Sequence, residues 1–476
     1  MKHSSTRGRR LIGRLPFVSL LVLLLVLSSL SGTLAHPGPG LDPATVEAVV
    51  FPGESIDVTK TVHTPTIPPQ PDIMFLADTT GSMGGAIANV KANASAIMAS
   101  VAGVQPDAQF GAAQYRDVGF DPLFRVDQAI TANQVAVQSA INTWSAGGGG
   151  DLPEAQLNAL WQLGATPVGG FRPAPSTRII VWFGDAPGHD LSNSPSLASA
   201  IAALQAADIT VIAINVTGAT GLNATGQAAA ITGATGGSFF PSAASNEVAA
   251  AILSSLNNLP ADVSMVSNCA APISKTFAPA TQNVTSGTDA VFTETIGVAV
   301  GTAGGTYTCQ DWALINGNPM NDVNGNLIVE SETIHVPGIS LAPATATNEL
   351  GTPGQTHTVT ATVAAGSNGP VSGVRVEFEI LSGPNVGATG DGTTDGSGEA
   401  VFTYPAVQGP AGLGQDLIVA RFTNADGSVV YGSDSATKDW VDTTAPVCAC
   451  EQGPNPRGKI PSAPDNGGQA QNPDGF

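Results

Sequence analysis

Between residues 72 and 260 the apolar positions follow two alternating patterns. Continuous runs such as "DIMFLAD", "AQFGAAQYRD", "TRIIVWFGD" and "DITVIAINV" have the density of strands buried on both faces. Between them, "AIANVKANASAIMASVAG", "TANQVAVQSAINTW", "PEAQLNALWQLG", "SPSLASAIAALQAA" and "NEVAAAILSSLNNL" carry apolar residues at helical spacing. Thr131 stands where it can cap the second of these helices, while Pro153 and Gly164 suit the start and end of the third. Strands alternating with helices predict an α/β domain over residues 72–260, with a doubly wound, mostly parallel sheet. Right-handed crossovers then gather the carboxyl ends of the strands around one crevice.

The pattern changes on both sides of this domain. Residues 340–442 hold period-two runs, "HTVTATVAA", "GVRVEFEIL", "GEAVFTYPA" and "DLIVARFTN", separated by Gly, Asn, Asp and Pro turns. They predict a second, all-β immunoglobulin-like sandwich. The stretch "PVSGVRVEFEI…TDGSGEAVFTY" resembles the bacterial immunoglobulin-like repeats of invasin-type surface proteins, which act mainly as stalks. Residues 261–338 are also strand-like, and so is "VEAVVFPGESIDVTKTVH" near the start. A lone hairpin cannot bury a face. Residues 36–71 and 261–338 are therefore expected to form one split β-sandwich with the α/β domain inserted in it, because domain ends often lie close together. Integrin β chains have a similar nested arrangement. Residues 443–476, rich in Pro, Gly and Asn, read as a flexible tail.

Charge and cysteine usage place the protein. Residues 1–35 carry five basic residues, a long apolar block and the exit "SGTLAH", the layout of a signal peptide cleaved after Ala35. No second apolar span follows, so the mature chain is expected to be soluble and either secreted or held at the cell surface. Without the leader, 12 basic residues face 37 acidic ones. That balance repels nucleic acid and anionic lipid. Four cysteines in an exported chain are expected to be oxidised. Cys269 and Cys309 are the pair chosen, since both lie in one β-rich segment; the pairing of Cys448 and Cys450 stays open. Tyr307 precedes Cys309 by two residues, the spacing of the tyrosine corner in immunoglobulin-type sandwiches.

The candidate chemistry sits in "DIMFLADTTGSM". Asp78 ends a strand at the carboxyl edge, and Thr80 and Ser82 follow at alternate positions. Asp185 ends "TRIIVWFGD", and Glu154, or its neighbour Asp151, opens a helix after the flexible run "SAGGGGD". Oxygen donors without Cys or paired His suit Mg²⁺, Mn²⁺ or Ca²⁺ rather than Zn²⁺. These residues resemble the metal-ion-dependent adhesion site of von Willebrand factor type A domains, whose pattern D-x-S-x-S stands here as Asp78-x-Thr80-x-Ser82. "GGGGDLPEA" and "FGDAPGH" are similar to loops of the integrin β subfamily. The resemblance implies a divalent cation, Mg²⁺ foremost, held by Asp78, Thr80, Ser82, Glu154 and Asp185, with one position open to an acidic partner residue. It further implies one flanking Ca²⁺ site at Asp117 and Asp151, and loss of the other, where Gly84 and Gly85 replace acids.

Enzymatic readings fare worse. "DTTGS" also resembles the phosphorylated-Asp motif of transport ATPases, but Thr79 stands where that chemistry wants Lys, and no Gly-Lys-Ser/Thr loop occurs. The expectation is a non-enzymatic exported adhesion protein that captures a Glu or Asp of a protein ligand, or a matrix or surface component. The alternative is a structural surface scaffold in which the cation only braces the fold.

Overall fold

The computed structural model describes residues 38–190, 195–351 and 354–444. The leader, Cys448, Cys450 and the tail after residue 444 lie outside the described residues.

The central α/β body is built on β1 (Pro71–Asp78), every residue of which is buried. Its side chains alternate between two cores. Ile73, Phe75 and Ala77 face α1 (Gly84–Val104), while Met74 and Leu76 face the opposite layer. Beyond α1 come β2 (Gln109–Tyr115), β3 (Phe124–Thr131), α2 (Gln134–Asn142), α3 (Gln156–Ala165) and β4 (Thr177–Gly184). Then follow α4 (Leu197–Ala206), β5 (Ile209–Val216), α5 (Gln227–Ala234), β6 (Phe239–Ala243) and α6 (Val248–Ser255). The sheet order is β3-β2-β1-β4-β5-β6, parallel except for β3. Successive strands leave β1 in opposite directions, so the crevice between β2, β1 and β4 opens above Asp78.

Two local expectations are corrected, and a third gains a packing reason. Thr131 does not cap α2; it ends the half-exposed edge strand β3, whose mixed pattern "FRVDQAIT" carries no clear period. Asn133 caps α2 instead, its side chain accepting from Ala136 N at 3.2 Å. Pro153 and Glu154 precede α3, and Glu154 forms a parallel bridge with Gly188 rather than opening the helix. Gly164 lies inside α3, where a Cβ would stand 2.7 Å from the backbone of Ala203 in α4. It stands one residue from the helix end, as expected, and packing also requires it.

Strands from both sides of the body in sequence share two sheets. Ser55–His63 pairs antiparallel with Asp289–Val298, from Ser55 opposite Gly297 to His63 opposite Asp289. Thr45–Val49 runs parallel to Glu330–Val336 in the other sheet. The Cys269–Cys309 disulfide spans a Cα separation of 5.0 Å and joins the exit of Pro260–Ser267 to its neighbour Gly305–Ile315. It therefore lies within one sheet rather than between two. Tyr307 donates its hydroxyl to Ala303 O at 3.0 Å.

The last region is a three-stranded and a five-stranded sheet enclosing Val359, Val376, Phe378, Ile418 and Trp440. Phe51, from the turn before Ser55, packs 4.8 Å from the Tyr431 ring of this region.

Gly164→Ala weighs two effects of opposite sign. Alanine favours a helix interior by about 1 kcal/mol, but overpacking against backbone that cannot rotate away costs about 1–3 kcal/mol. The expected outcome is a net loss of stability, read as a lower urea midpoint for amide exchange in α3 and α4.

Candidate metal centre

Asp78 is the last residue of β1, so its carboxylate emerges at the carboxyl edge of the sheet. The chain then turns sharply. Asp78 Oδ1 accepts from Thr80 N at 2.9 Å and from Thr80 Oγ1 at 2.7 Å. Thr79 is tied to β2 through Tyr115 O at 2.9 Å, and Gly81 N donates to Gly148 O at 3.1 Å. Gly147 N donates to Thr79 O at 3.1 Å, so the glycine run lies against the first loop. Asp185 follows β4 and accepts from Ser82 Oγ at 3.1 Å. Glu154 reaches the same edge because its N donates to Pro187 O at 2.8 Å and its O accepts from His189 N at 2.9 Å.

Gly149 shows why that loop is glycine. Its φ is +84°, and a Cβ there would lie 3.2 Å from Glu154 Oε1 and 3.3 Å from Thr80 Cβ. Asp78, Thr80, Ser82, Glu154 and Asp185 are thus gathered at one sheet edge. Asp78, Thr80, Glu154 and Asp185 are buried, while Ser82 is exposed.

Several supporting residues gave no sequence signal that singled them out. Arg116 binds three loop carbonyls, Thr79 O at 3.3 Å, Asp121 O and Ser145 O at 2.9 Å. A lone cation directly after a buried strand was the available clue. Tyr115 lies beneath Asp78, its hydroxyl accepting from Trp182 Nε1 at 2.9 Å. Gly184 leaves room for it, since a Cβ there would stand 2.7 Å from that hydroxyl. Gln227 clamps Gly188, accepting from its N at 2.8 Å and donating to its O at 3.0 Å.

Asp117 and Asp151 form a second set. Their donor atoms and those of His189 all lie within 4.8 Å of one another. Asp117 already accepts from Val118 N at 2.6 Å, from His189 Nε2 at 2.8 Å and from Gly150 N at 3.4 Å. Asp151 is exposed. His189 is thus a partner of Asp117 and is 15% exposed.

The first set differs in electrostatics. Asp78 Oδ2, Glu154 Oε2 and Asp185 Oδ2 are buried and have no hydrogen-bond partner among the described residues. Burial pushes Asp78 up to about 7, opposed by the Thr80 hydrogen bonds and reinforced by Asp185. Glu154 is pushed up to about 8, first by burial and then by Asp78, Asp117, Asp185 and Asp151. Asp185 is also raised by burial, with the Ser82 hydrogen bond opposing. Buried like charges with unfilled acceptor positions are a costly arrangement. A small hard cation at this edge, reached directly or through water, would offset that charge.

In cation-free protein these shifts set the sign of a pH dependence. The native state holds protons on Asp78 and Glu154 that the unfolded chain releases from ordinary values of 3.8 and 4.5. Stability therefore falls as pH rises from about 4 to about 8. Asp78→Asn keeps an acceptor for Thr80 and has no charge to bury. It is expected to flatten that slope and to be the more stable form in EDTA at pH 8, by about 1.4 kcal/mol per pKa unit removed. Urea midpoints across the pH range check this.

Residues 72–232 match the family model of the von Willebrand factor A domain. No curated protein matches the chain by sequence. Among solved structures, a von Willebrand factor type A protein from Catenulispora acidiphila is similar at 14% identity and a TM-score of 0.33, covering 59% of this chain and 72% of that one. The pilus adhesin SpaC from Lactobacillus rhamnosus GG is similar at 12% identity and a TM-score of 0.30, covering 82% of this chain and 59% of that one. Proximal thread matrix protein 1 of the mussel byssus is similar at 14% identity and a TM-score of 0.31, with 43% and 47% covered. This chain thus spans less than two thirds of the length of the last two, and none of the three likenesses carries function across. The segment that bears Asp78, Thr80, Ser82, Glu154 and Asp185 is a von Willebrand factor A domain within a chain that also has a large all-β region.

Proposed function

We propose that this protein is an exported adhesion protein whose A domain takes a divalent cation, Mg²⁺ foremost, at Asp78, Thr80, Ser82, Glu154 and Asp185, and through it captures a Glu or Asp of a partner. The observation that carries this reading is the set of three buried carboxylate oxygens without a hydrogen bond, on Asp78, Glu154 and Asp185, around two hydroxyls. All five donors are oxygens, the chemistry of a hard cation. The bound ion would supply an electrophilic position for a partner's carboxylate.

The chain's own residues do the rest. Arg116 and the Gly147–Gly150 run hold the three loops in register. Tyr115 and Trp182 fix the floor beneath Asp78. Exposed Ser82 stands at the solvent side, where a partner approaches.

Three finer readings belong to this proposal. The A domain is an insertion between Ser55–His63 and Pro260–Ser267 of a split sandwich, supported by the pairing of strands from both sides of it. The region after residue 338 is an immunoglobulin-like stalk. The protein works as a secreted or surface binder rather than an enzyme: Thr79 follows Asp78, and the next lysine, Lys91, lies within α1. No described helix is long and apolar enough to cross a membrane.

A scaffold reading, in which the cation only braces the fold, is favoured by one contact. Phe51 and Glu54 of the first sandwich meet Tyr431 of the second, coupling the two regions as a stiff unit would require.

Mg²⁺ at a hundredfold its dissociation constant is expected to stabilise the protein by about 2.7 kcal/mol, seen as a higher melting temperature that EDTA reverses. Asp78→Ala is expected to abolish that shift. Surface or matrix fractions retained in Mg²⁺ and released by EDTA support ligand capture. Retention that ignores both EDTA and Asp78→Ala, beside an intact Mg²⁺-induced shift, leaves the scaffold reading instead.

A further inference from the structure

The first sandwich holds an unusual core. Lys60, Lys275 and Glu294 project inward from one sheet, and Asp311, Glu330 and Glu332 from the other. No side chain of the six is more than 4% exposed. Each occupies an inward position of a period-two strand, where this fold ordinarily places an aliphatic residue.

Four carboxyls thus meet two amines in a space closed to water. Lys275 Nζ lies 2.9 Å from Asp311 Oδ2 and also contacts Glu294 and Glu332. Lys60 Nζ lies 3.0 Å from Glu294 Oε2 and contacts Glu330. Among the described residues, Asp311 Oδ1, Glu330 Oε2 and Glu332 Oε1 have no hydrogen-bond partner. The Cys269–Cys309 disulfide borders the cluster, with Cys309 Sγ 3.5 Å from Glu332 Oε2.

Buried ion pairs seldom recover the cost of desolvating their charges. Condensation of one amine with one carboxyl removes a charge of each sign and leaves a neutral amide. We propose that Lys275 and Asp311 form an intramolecular isopeptide bond that joins the two sheets of the sandwich.

The surrounding carboxyls supply the proton transfers. Glu332, in contact with Lys275 Nζ, takes one proton from the ammonium. The freed lone pair attacks Asp311 Cγ, and Glu294, with a carboxylate oxygen within 4.8 Å of one of Asp311's, protonates the departing oxygen. The Nζ–Cγ bond forms and one Cγ–O bond breaks. The oxygen leaves as water, its second proton coming from Glu332. The amide nitrogen returns one proton to Glu294, so both glutamates end as they began, and no oxidant or reductant is required. Burial raises Glu294, against the pull of Lys60 and Lys275, and so favours the protonated form this role needs.

Asp311 is the acceptor for geometric reasons. Its carboxyl is one rotor shorter than that of Glu294, Glu330 or Glu332, so its carbon is held more firmly before the amine. It also lies on the sheet opposite Lys275, so the bond crosses the core.

The test uses the full-length mature protein, reduced, alkylated, digested and sequenced by mass spectrometry. The expected product is a branched peptide joining Ile273–Ala278 to Gly305–Ile315, lighter by one water than its two linear parts, with no trypsin cleavage at Lys275. Glu294→Gln keeps the shape and loses the acid, and is expected to slow bond formation by about 10²-fold. Formation of the Cys269–Cys309 disulfide reports that the sandwich has folded in either form. Linear Lys275 and Asp311 peptides from wild-type protein with that disulfide intact overturn the proposal. A cross-link found at Lys60 instead overturns it as well.

Discussion

Like charge held out of water is the constraint on which this molecule turns. Asp78, Glu154 and Asp185 come from three separate segments and are brought to one sheet edge with an oxygen each left without a donor among the described residues. Mutual repulsion and burial both oppose that arrangement. It persists because the surroundings over-determine it. Arg116 pins Thr79, Asp121 and Ser145, Gln227 pins Gly188, and the strand β1 is buried along its whole length. Such preorganisation, with the charge left for another species to balance, is what a binding centre for a hard cation requires.

The β-region built on Ser55–His63 and Asp289–Val298 meets the same difficulty in a different way. Its buried carboxyls Glu294, Asp311, Glu330 and Glu332 are supplied with two lysines from within the chain. Where the A domain leaves its carboxylates facing a crevice, the sandwich seals them between two sheets and beside a disulfide. The enclosed set is suited to permanent bonding.

The α/β body was legible because its signals are local and strong. "DIMFLAD", "TRIIVWFGD" and "DITVIAINV" are long apolar runs, and each appears as a central parallel strand. Edge strand β3 was not legible, since a half-exposed strand has no sharp period. Helix starts were misplaced where tertiary contacts outweigh local preference. Gly164 marks the end of α3 to within a residue, and the approach of α4 requires it as well. Glu154 looks like a first-turn acid but is drawn into a bridge with Gly188.

The order of residues by itself determined which side chains stand at strand ends, because a strand stops where its apolar run meets Asp78 or Asp185. It likewise determined the alternation that separates an α/β body from all-β flanks. Only the tertiary structure decided which loops meet, that Tyr115 lies under Asp78, and that Asp117 is answered by His189 while Asp78 Oδ2 has no hydrogen-bond partner among the described residues. The charged core of the sandwich belongs to the second kind. Lys60 and Glu330 are far apart in the chain, and a period-two pattern shows that each points inward without showing what it faces. Periodicity is a property of one element, whereas charge balance is a property of the neighbours that folding brings together.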